Sequence, residues 1–565
     1  MTRAGYGLAD TGRGNFVDAS RSRSRRLILS QKDMVNLRIV EDRPTPKQVY
    51  GWRPYFCASI ACWASVLIGY DGEFGLDKSR SDFLSANIVS CYQAGCFFGA
   101  LSGYVLGHYL GRRWGMLAAC VIFIVGGVLQ TVASASTGLG IMYAGRAIAG
   151  LGVGICSNLS PIYLAEISPP AIRGRLIGIY ELGWQIGAVI GFWVPYGVAL
   201  NIAPSMKQWR VPFGVQIIPG GVLALGTFIL TESPRWLASR GHGVKALKNL
   251  AWLRNLPRDH PYVVEELAEI EAAIRSDEAN AGPGIAGPMK TLFTSKKYMY
   301  RLFLSVMLFA MQNGTGINAI NYYHVPDLHQ SLQLTTDAPT VFKSIGVSGT
   351  NTGLLTTGIF GLVKFAGAVV WLLWLVDHVG RKPLLIGGSV GGAFCMYWIA
   401  IYIAVADPIA HPSTTLSPGG TSALVAFFVW TIFYSPTWNG SPWVFGAEVM
   451  PTFIRAATQA FISASNWLFA FLISRFTPQM FSAMGYGVYL FFASLMVCSI
   501  PIVYFIIPET SGIPLEGMDE LFALPARKAH GIVKKQLIAL HAERSAVQQV
   551  EKDNFDDLFL KEGSV

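Results

Sequence analysis

The sequence predicts an all-α membrane protein with twelve transmembrane helices in two six-helix pseudo-repeat halves. Three observations predict it. Only 14% of the 565 residues are charged against 52% hydrophobic, with a mean hydropathy of +0.41, where soluble domains carry about a quarter charged residues. Twelve separate stretches are long and apolar enough to span a bilayer, about 20 residues each. The same short polar motifs then recur at matching places in the first and second sets of six.

The predicted spans are 55–74, 83–107, 114–135, 139–164, 177–200 and 211–230, then 302–323, 352–376, 384–405, 422–447, 456–475 and 486–507. A polar stretch, 231–300, divides them, and its amphipathic segments Val244–Arg254 and Val263–Arg275 predict short helices at the membrane face. The resulting organisation is an N-terminal tail 1–50, a six-helix half 51–231, a central loop 232–300, a second half 301–508 and a C-terminal tail 509–565.

Net charge is +10 and the isoelectric point about 9.1. In a membrane protein such an excess marks cytoplasmic loops, so it gives no reason to expect a nucleic-acid partner. Lys and Arg collect in the N-terminal tail (RSRSRR at 21–26), at Arg112/Arg113, Arg173/Arg175, the central loop, Arg381/Lys382, Arg455 and the C-terminal tail. These are alternate loops, so both termini are expected to be cytoplasmic; Lys78, Arg80, Lys207 and Lys343 are exceptions. No cleavable signal peptide is expected at the basic, polar start.

All eight cysteines (57, 62, 91, 96, 120, 156, 395, 498) lie in apolar runs with no CxxC or Cys/His cluster, so neither a disulfide framework nor a metal site is expected. The glycosylation triplets at Asn158, Asn313 and Asn439 also fall inside apolar runs and read as chance matches. An enzyme is not expected: no nucleophile–base pair, metal cluster or phosphate loop is visible.

The halves repeat one another. GRR at 111–113 follows the second span and GRK at 380–382 the eighth; Pro161-x-Tyr-x-x-Glu166-Ile-Ser-Pro169-x-x-x-Arg173-Gly174 follows the fourth, and Pro442-Trp-x-x-x-x-Glu448-x-x-Pro451-x-x-x-Arg455 the tenth. Duplicated halves imply a solute cavity between them near the midplane. Arg112, Arg113, Glu166, Arg173, Glu232, Arg235, Asp377, Arg381, Glu448 and Arg455 form a candidate gating network of charge-assisted pairs that lock the cytoplasmic ends and break on opening. The simpler alternative for GRR and GRK is topology anchoring.

Charges within apolar runs are costly and face a partner or a wet cavity. Asp71 closes the first span, Arg146 lies in the fourth and Glu181 in the fifth. Asp71 with Arg146 suits a proton switch, since protonating the acid frees the arginine; a purely structural pair is the alternative. The seventh span reads Gln312-Asn313-Gly314-Thr315-Gly316-Ile317-Asn318-Ala319-Ile320-Asn321-Tyr322-Tyr323, where amides suit hydroxyl groups and glycines let a helix break beside a solute. Asn351, Trp438, Asn439, Trp443, Asn466 and Trp467 supply similar chemistry: indole faces for apolar ring faces and amides for hydroxyls. Any single amide also serves as inter-helix glue, and it is their clustering that favours a site.

GYD (69–71), GRR, PxYxxEISPxxxRG, ESPRWL (232–237), the 312–323 run, PWxxxxE and PETSGxPLE (508–516) resemble the sugar-porter family of the major facilitator superfamily, from about Glu41 to Phe522. Segments 41–50, 180–197, 313–323, 435–444 and 466–481 are most similar to its fungal quinate permease subgroup. The resemblance implies the major facilitator fold and proton-coupled import of quinate, a cyclohexane carboxylate bearing several hydroxyls. It implies solute binding by Gln312, Asn313, Asn318, Asn351, Trp443 and Asn466, and proton coupling by Asp71 and Arg146. Asn313 replaces a glutamine usual in hexose carriers, Glu181 stands where they carry glutamine, and His108 occupies the acid position before GRR; these changes point to the quinate subgroup and add Glu181 to the binding set.

Two segments depart from the pattern. Asp71 runs straight into Glu73-Phe74-Gly75, without the family's Gly-rich outer turn, which sets Asp71 near the outer end of its span. His324–Ala338 interrupts a stretch the family reads continuously. The expected chain is thus a monomeric multi-pass carrier in the lipid bilayer of the plasma membrane, with a proton as coupling ion and no other cofactor. Its alternatives are a hexose or pentose carrier and a non-transporting nutrient sensor, the latter disfavoured by a tail of only about 57 residues after Pro508.

Overall fold

The computed structural model describes residues 45–69, 78–133, 139–169, 172–203, 205–282, 284–322, 350–375, 379–408, 417–511, 513, 518–526, 528–533 and 535–536. Asp71, Asp377 and His324–Ala338 lie outside the described residues, as do the side chains of Arg173, Asn321 and Asn351.

Helices occupy all twelve predicted places. The first half holds α1 (Trp52–Gly69), α2 (Lys78–Tyr109), α3 (Gly111–Val132), α4 (Leu139–Ile167), α5 (Arg173–Asn201) and a sixth span in two pieces, α6 (Met206–Val215) and α7 (Ile217–Ile229). The central loop carries α8 (Pro234–Ser239), α9 (Gly243–Arg254), α10 (Pro261–Ala281) and α11 (Ala286–Thr294). The second half holds α12 (Lys296–Gly314) and α13 (Ile317–Tyr322); α14 (Thr350–Val370), which widens into a π turn over Trp371–Leu375; α15 (Arg381–Ala406); α16 (Pro418–Tyr434) and α17 (Ser441–Glu448); α18 (Thr452–Met484); and α19 (Gly487–Phe505). A short α20 (Met518–Ala523) follows. Among the described residues, nine helices are long and apolar enough to cross a membrane by themselves. The α16 piece, Pro418–Tyr434, is apolar but shorter.

Small residues set the helix approach. A Cβ on Gly95, Gly99, Gly150 or Gly154 would sit 2.1 to 2.3 Å from a backbone oxygen of the facing helix, so α2 and α4 meet backbone to backbone. Each half has its own buried cluster. One centres on Tyr92, Phe123, Tyr163 and Leu176 and the other on Phe360, Phe427, Trp430 and Tyr434. Trp467 of the second half joins the first half's cluster.

The central-loop helices dock firmly at the charged end of the first half. Arg254 is buried, with a bidentate contact to Glu266 (2.8 and 2.6 Å) and a bond to the carbonyl of Ile167 at the end of α4 (2.9 Å). Arg53, at the start of α1, donates to the Trp252 carbonyl (2.8 Å) and lies over its ring. Such bidentate, desolvated guanidinium contacts fix orientation as well as distance.

Candidate functional site

Two broken helices build the site. Between α12 and α13 the chain turns through Thr315 and Gly316, which has φ +88° and would bring a Cβ to within 3.0 Å of Phe492. Only glycine accepts that turn freely, and it folds Asn318 back so that its amide donates to Oδ1 of Asn313. Asn313 in turn donates to the Phe309 carbonyl (2.8 Å) and to Oδ1 of Asn466 on α18 (3.2 Å). The second break, Ser435–Gly440, separates α16 from α17 and frees backbone carbonyls. Gln312 satisfies those of Trp438 (2.8 Å) and Asn439 (2.9 Å). Left unpaired in a buried place, each would cost about 1–3 kcal/mol.

These elements enclose a cavity with about 470 Å³ of empty space, part of it open to solvent, lined by Gln312, Asn313, Asn318, Asn439, Asn466, Trp184, Trp443, Trp467, Tyr434, Lys364, Ile317 and Ala470. Trp184 comes from α5 and stacks on Trp467 (centroids 6.1 Å apart, planes at 14°), with Trp443 tilted against it at 6.4 Å. Phe309 braces Trp443 edge-on at 4.8 Å. The result is a wall of indole faces beside a chain of amides. That arrangement offers apolar contact to one side of a ring and hydrogen bonds to groups around its rim.

The cavity spans the two halves. Glu181 on α5 accepts from Asn439 Nδ2 (2.6 Å) and from Gln185 Nε2 (2.9 Å). Trp467 Nε1 donates to Ser157 on α4 (3.3 Å), and Gln93 on α2 donates to Ser474 on α18 (2.8 Å).

Of the expected binding residues, Gln312, Asn313, Asn318, Trp443 and Asn466 line the cavity, and Glu181 reaches it through Asn439. Asn351 stands at the start of α14. Trp438 is corrected: fully buried, it donates Nε1 to Ser389 of α15 (3.0 Å) and does not line the cavity. Sequence reasoning missed Trp184, Tyr434 and Lys364. Lys364 is only 2% exposed, in mid-α14, and forms no hydrogen bond or ion pair through its ammonium among the described residues. Its signal was a single cation inside an apolar run, with no patterned neighbour to mark it.

Arg146 is buried on α4, its guanidinium over Tyr92 (5.5 Å) and Phe213 (5.4 Å).

The charged end carries a duplicated set of ion pairs and helix caps. In the first half Arg112 pairs with Glu166 (2.7 Å), while Glu232 accepts the backbone N–H groups of Arg112 (2.9 Å) and Arg113 (3.2 Å). In the second half Arg381 pairs with Glu448 (2.7 Å), while Glu509 accepts those of Arg381 (3.0 Å) and Lys382 (2.8 Å). In each half a carboxylate thus caps a helix N-terminus, where dipole and unpaired donors favour an anion. Burial pushes the Glu232 carboxyl up, held back by the N–H groups of Ser233, Arg113 and Arg112. Other arginines of the candidate network have contacts of their own. Arg235 pairs with Asp277 (2.7 Å) within the central loop, Arg113 grips the Thr227 and Phe228 carbonyls (2.7 and 2.9 Å), and Arg455 donates to the Met450 carbonyl (3.2 Å). Glu509 was not anticipated as the counterpart of Glu232.

Residues 48–522 match the family model for sugar (and other) transporters. A probable quinate permease of Aspergillus niger is 51% identical over 519 residues, covering 89% of this chain and 94% of that protein. The quinate permease of Emericella nidulans is 51% identical over 517 residues, with coverage of 89% and 94%. Among solved structures, the proton:xylose symporter XylE bound to 6-bromo-6-deoxy-D-glucose is similar with a TM-score of 0.67 at 24% identity, covering 83% of this chain and 99% of that one. The inward open conformation of XylE from E. coli gives 0.63 at 23%, covering 83% and 99%. These two likenesses speak to the fold.

Proposed function

The chain belongs to the sugar (and other) transporter family, and we propose that it imports quinate together with a proton. It is accordingly a multi-pass membrane transporter and not an enzyme. One observation carries the choice of solute. A cavity walled by Trp184, Trp443 and Trp467 faces a chain of amides from Gln312, Asn313, Asn318 and Asn466, and half of the residues are shared with proteins named quinate permeases. A cyclohexane ring offers one face to indoles, and its hydroxyls exchange hydrogen bonds with amides that otherwise bond to each other. In this reading Asn351 joins the amides, and Glu181 closes the cavity through Asn439.

The charged end is the cytoplasmic one, with both termini there, and the membrane is the plasma membrane. Asp71 and Arg146 couple the proton. Arg146 already lies buried between aromatic faces, where an acid that gains and loses a proton alters its restraint. The duplicated lock holds the cytoplasmic side shut and opens as the halves rock. The carrier works as a monomer, with no cofactor besides the proton.

The test is uptake of labelled quinate and labelled glucose by a host lacking its own carriers, with external pH followed. Quinate accumulation with alkalinisation of the medium is expected, abolished in Asp71→Asn. Glucose uptake without quinate uptake overturns the choice of solute, and undiminished accumulation in Asp71→Asn removes the coupling assignment.

A further inference from the structure

Lys364 is the one side chain of the cavity whose state the proposed function leaves unexplained. It lies in mid-α14, 2% exposed, and its ammonium carries three donors with no hydrogen bond or ion pair among the described residues. Desolvating an ammonium costs several kcal/mol unless partners replace the lost water. Glu181 is close enough to attract it. Yet the Glu181 oxygen with described partners is taken up by Asn439 (2.6 Å) and Gln185 (2.9 Å). The backbone around the lysine is held firmly: the Lys364 carbonyl accepts from the Ser435 hydroxyl, and Gly367, one turn on, packs against Ser435. The lysine is therefore presented to the cavity by a fixed helix, opposite amides that suit hydroxyls, with its own donors unspent.

We propose that Lys364 receives the carboxylate of the solute, so that the site selects hydroxylated monocarboxylates over neutral sugars and polyols. The inference rests on the proposed function and adds the group that reads the acid. A neutral polyol offers the ammonium hydroxyl oxygens as acceptors but no opposite charge, whereas a carboxylate makes charge-assisted bonds to it and cancels the charge at short range. Glu181 serves as the resident counter-charge: it makes the lysine tolerable in the empty cavity, and its bonds to Asn439 and Gln185 keep it from closing on Lys364 and shutting the solute out.

The experiment compares quinate with its neutral amide, which keeps every ring hydroxyl. Quenching of the cavity tryptophans in the purified full-length protein reads binding of each. The parent is expected to prefer quinate over the amide by roughly tenfold or more, and Lys364→Gln to bring the ratio near unity with amide binding retained. Lys364→Arg is expected to keep a preference for the acid. A merely structural lysine would weaken both ligands together and leave the ratio unchanged, which overturns the inference while leaving quinate transport standing. If Lys364→Gln fails to fold, the double variant Glu181→Gln/Lys364→Gln removes both charges and avoids a stranded carboxylate, and the same ratio decides. A parent that carries glucose and neither binds nor carries quinate overturns the proposed function, and this inference with it.

Discussion

Gly111 and Gly380 hold the same place in the two halves, with φ of 87° and 89°, and in each a Cβ would press on a carboxylate: Glu232 at 2.6 Å and Glu509 at 2.8 Å. The glycines of GRR and GRK are therefore more than turn formers. They let an acid, buried Glu232 in one half and half-buried Glu509 in the other, sit directly over the first N–H groups of the next helix.

Gly380→Ala is expected to destabilise by about 1–3 kcal/mol, because φ 89° with ψ 164° is a region that only glycine enters freely. It also displaces Glu509 from the Arg381 and Lys382 N–H groups. A lowered midpoint of thermal unfolding in detergent, larger than that of an Ala substitution at open Gly387, is the measurement.

Arg381→Ala and Glu448→Gln are each expected to loosen the charged end, with a coupling of about 1.5–3 kcal/mol between them, as for a hydrogen bond between charged groups. A double-mutant cycle on thermal unfolding checks it. Uptake should fall in both single variants, and additive effects would show that the pair carries no energy of its own.

Trp443→Ala and Asn318→Ala are each expected to weaken solute affinity while leaving the fold intact. Trp443 presents a ring face braced by Phe309, and Asn318 ends the amide chain through Asn313. Removing the indole face loses apolar contact area with the solute, at about 25 cal/mol per Å². Equilibrium binding checks both, and unchanged affinity in both removes them from the site.

Asp519 ties α20 to the start of α12 through Lys297 (2.7 Å) and Arg301 (2.7 Å). Burial pushes its carboxyl up, but those bonds and charges outweigh it and hold it below the usual 3.8. Its contribution is therefore fully present above that ordinary value and lost as pH falls through the lower folded one. Protease protection of the C-terminal segment is expected to stay flat from neutral pH down to the ordinary aspartate range and to drop only below it. Asp519→Asn should reduce protection at every pH.

The spans were legible because a bilayer demands a length of apolar chain, and Gly316 announced its helix break through the amide-rich run around it. Which way a side chain faces was not legible. Trp438 and Trp443 lie five apart in one motif, yet the first turns into α15 and the second into the cavity. Partner choice was equally hidden: the repeated motifs put Glu448, Arg381 and Arg455 in one candidate network without pairing them, and the chain brings Arg381 from another helix to Glu448. Glu509 and Lys364 went unread for different reasons. The first lies outside the repeated motif, and the second is one cation without a patterned neighbour.

The Glu181–Asn439 bond joins a rigid helix of one half to an unwound turn of the other, a turn whose carbonyls are held by Gln312. Any rotation between the halves would therefore tug on the cavity wall, and the proposed recognition and motion would share one piece of backbone. Selectivity then belongs to the hinge as much as to the lining. Transplanting Gln312, Asn313, Asn318, Trp443 and Asn466 into a carrier whose halves meet differently should copy the chemistry and lose the preference.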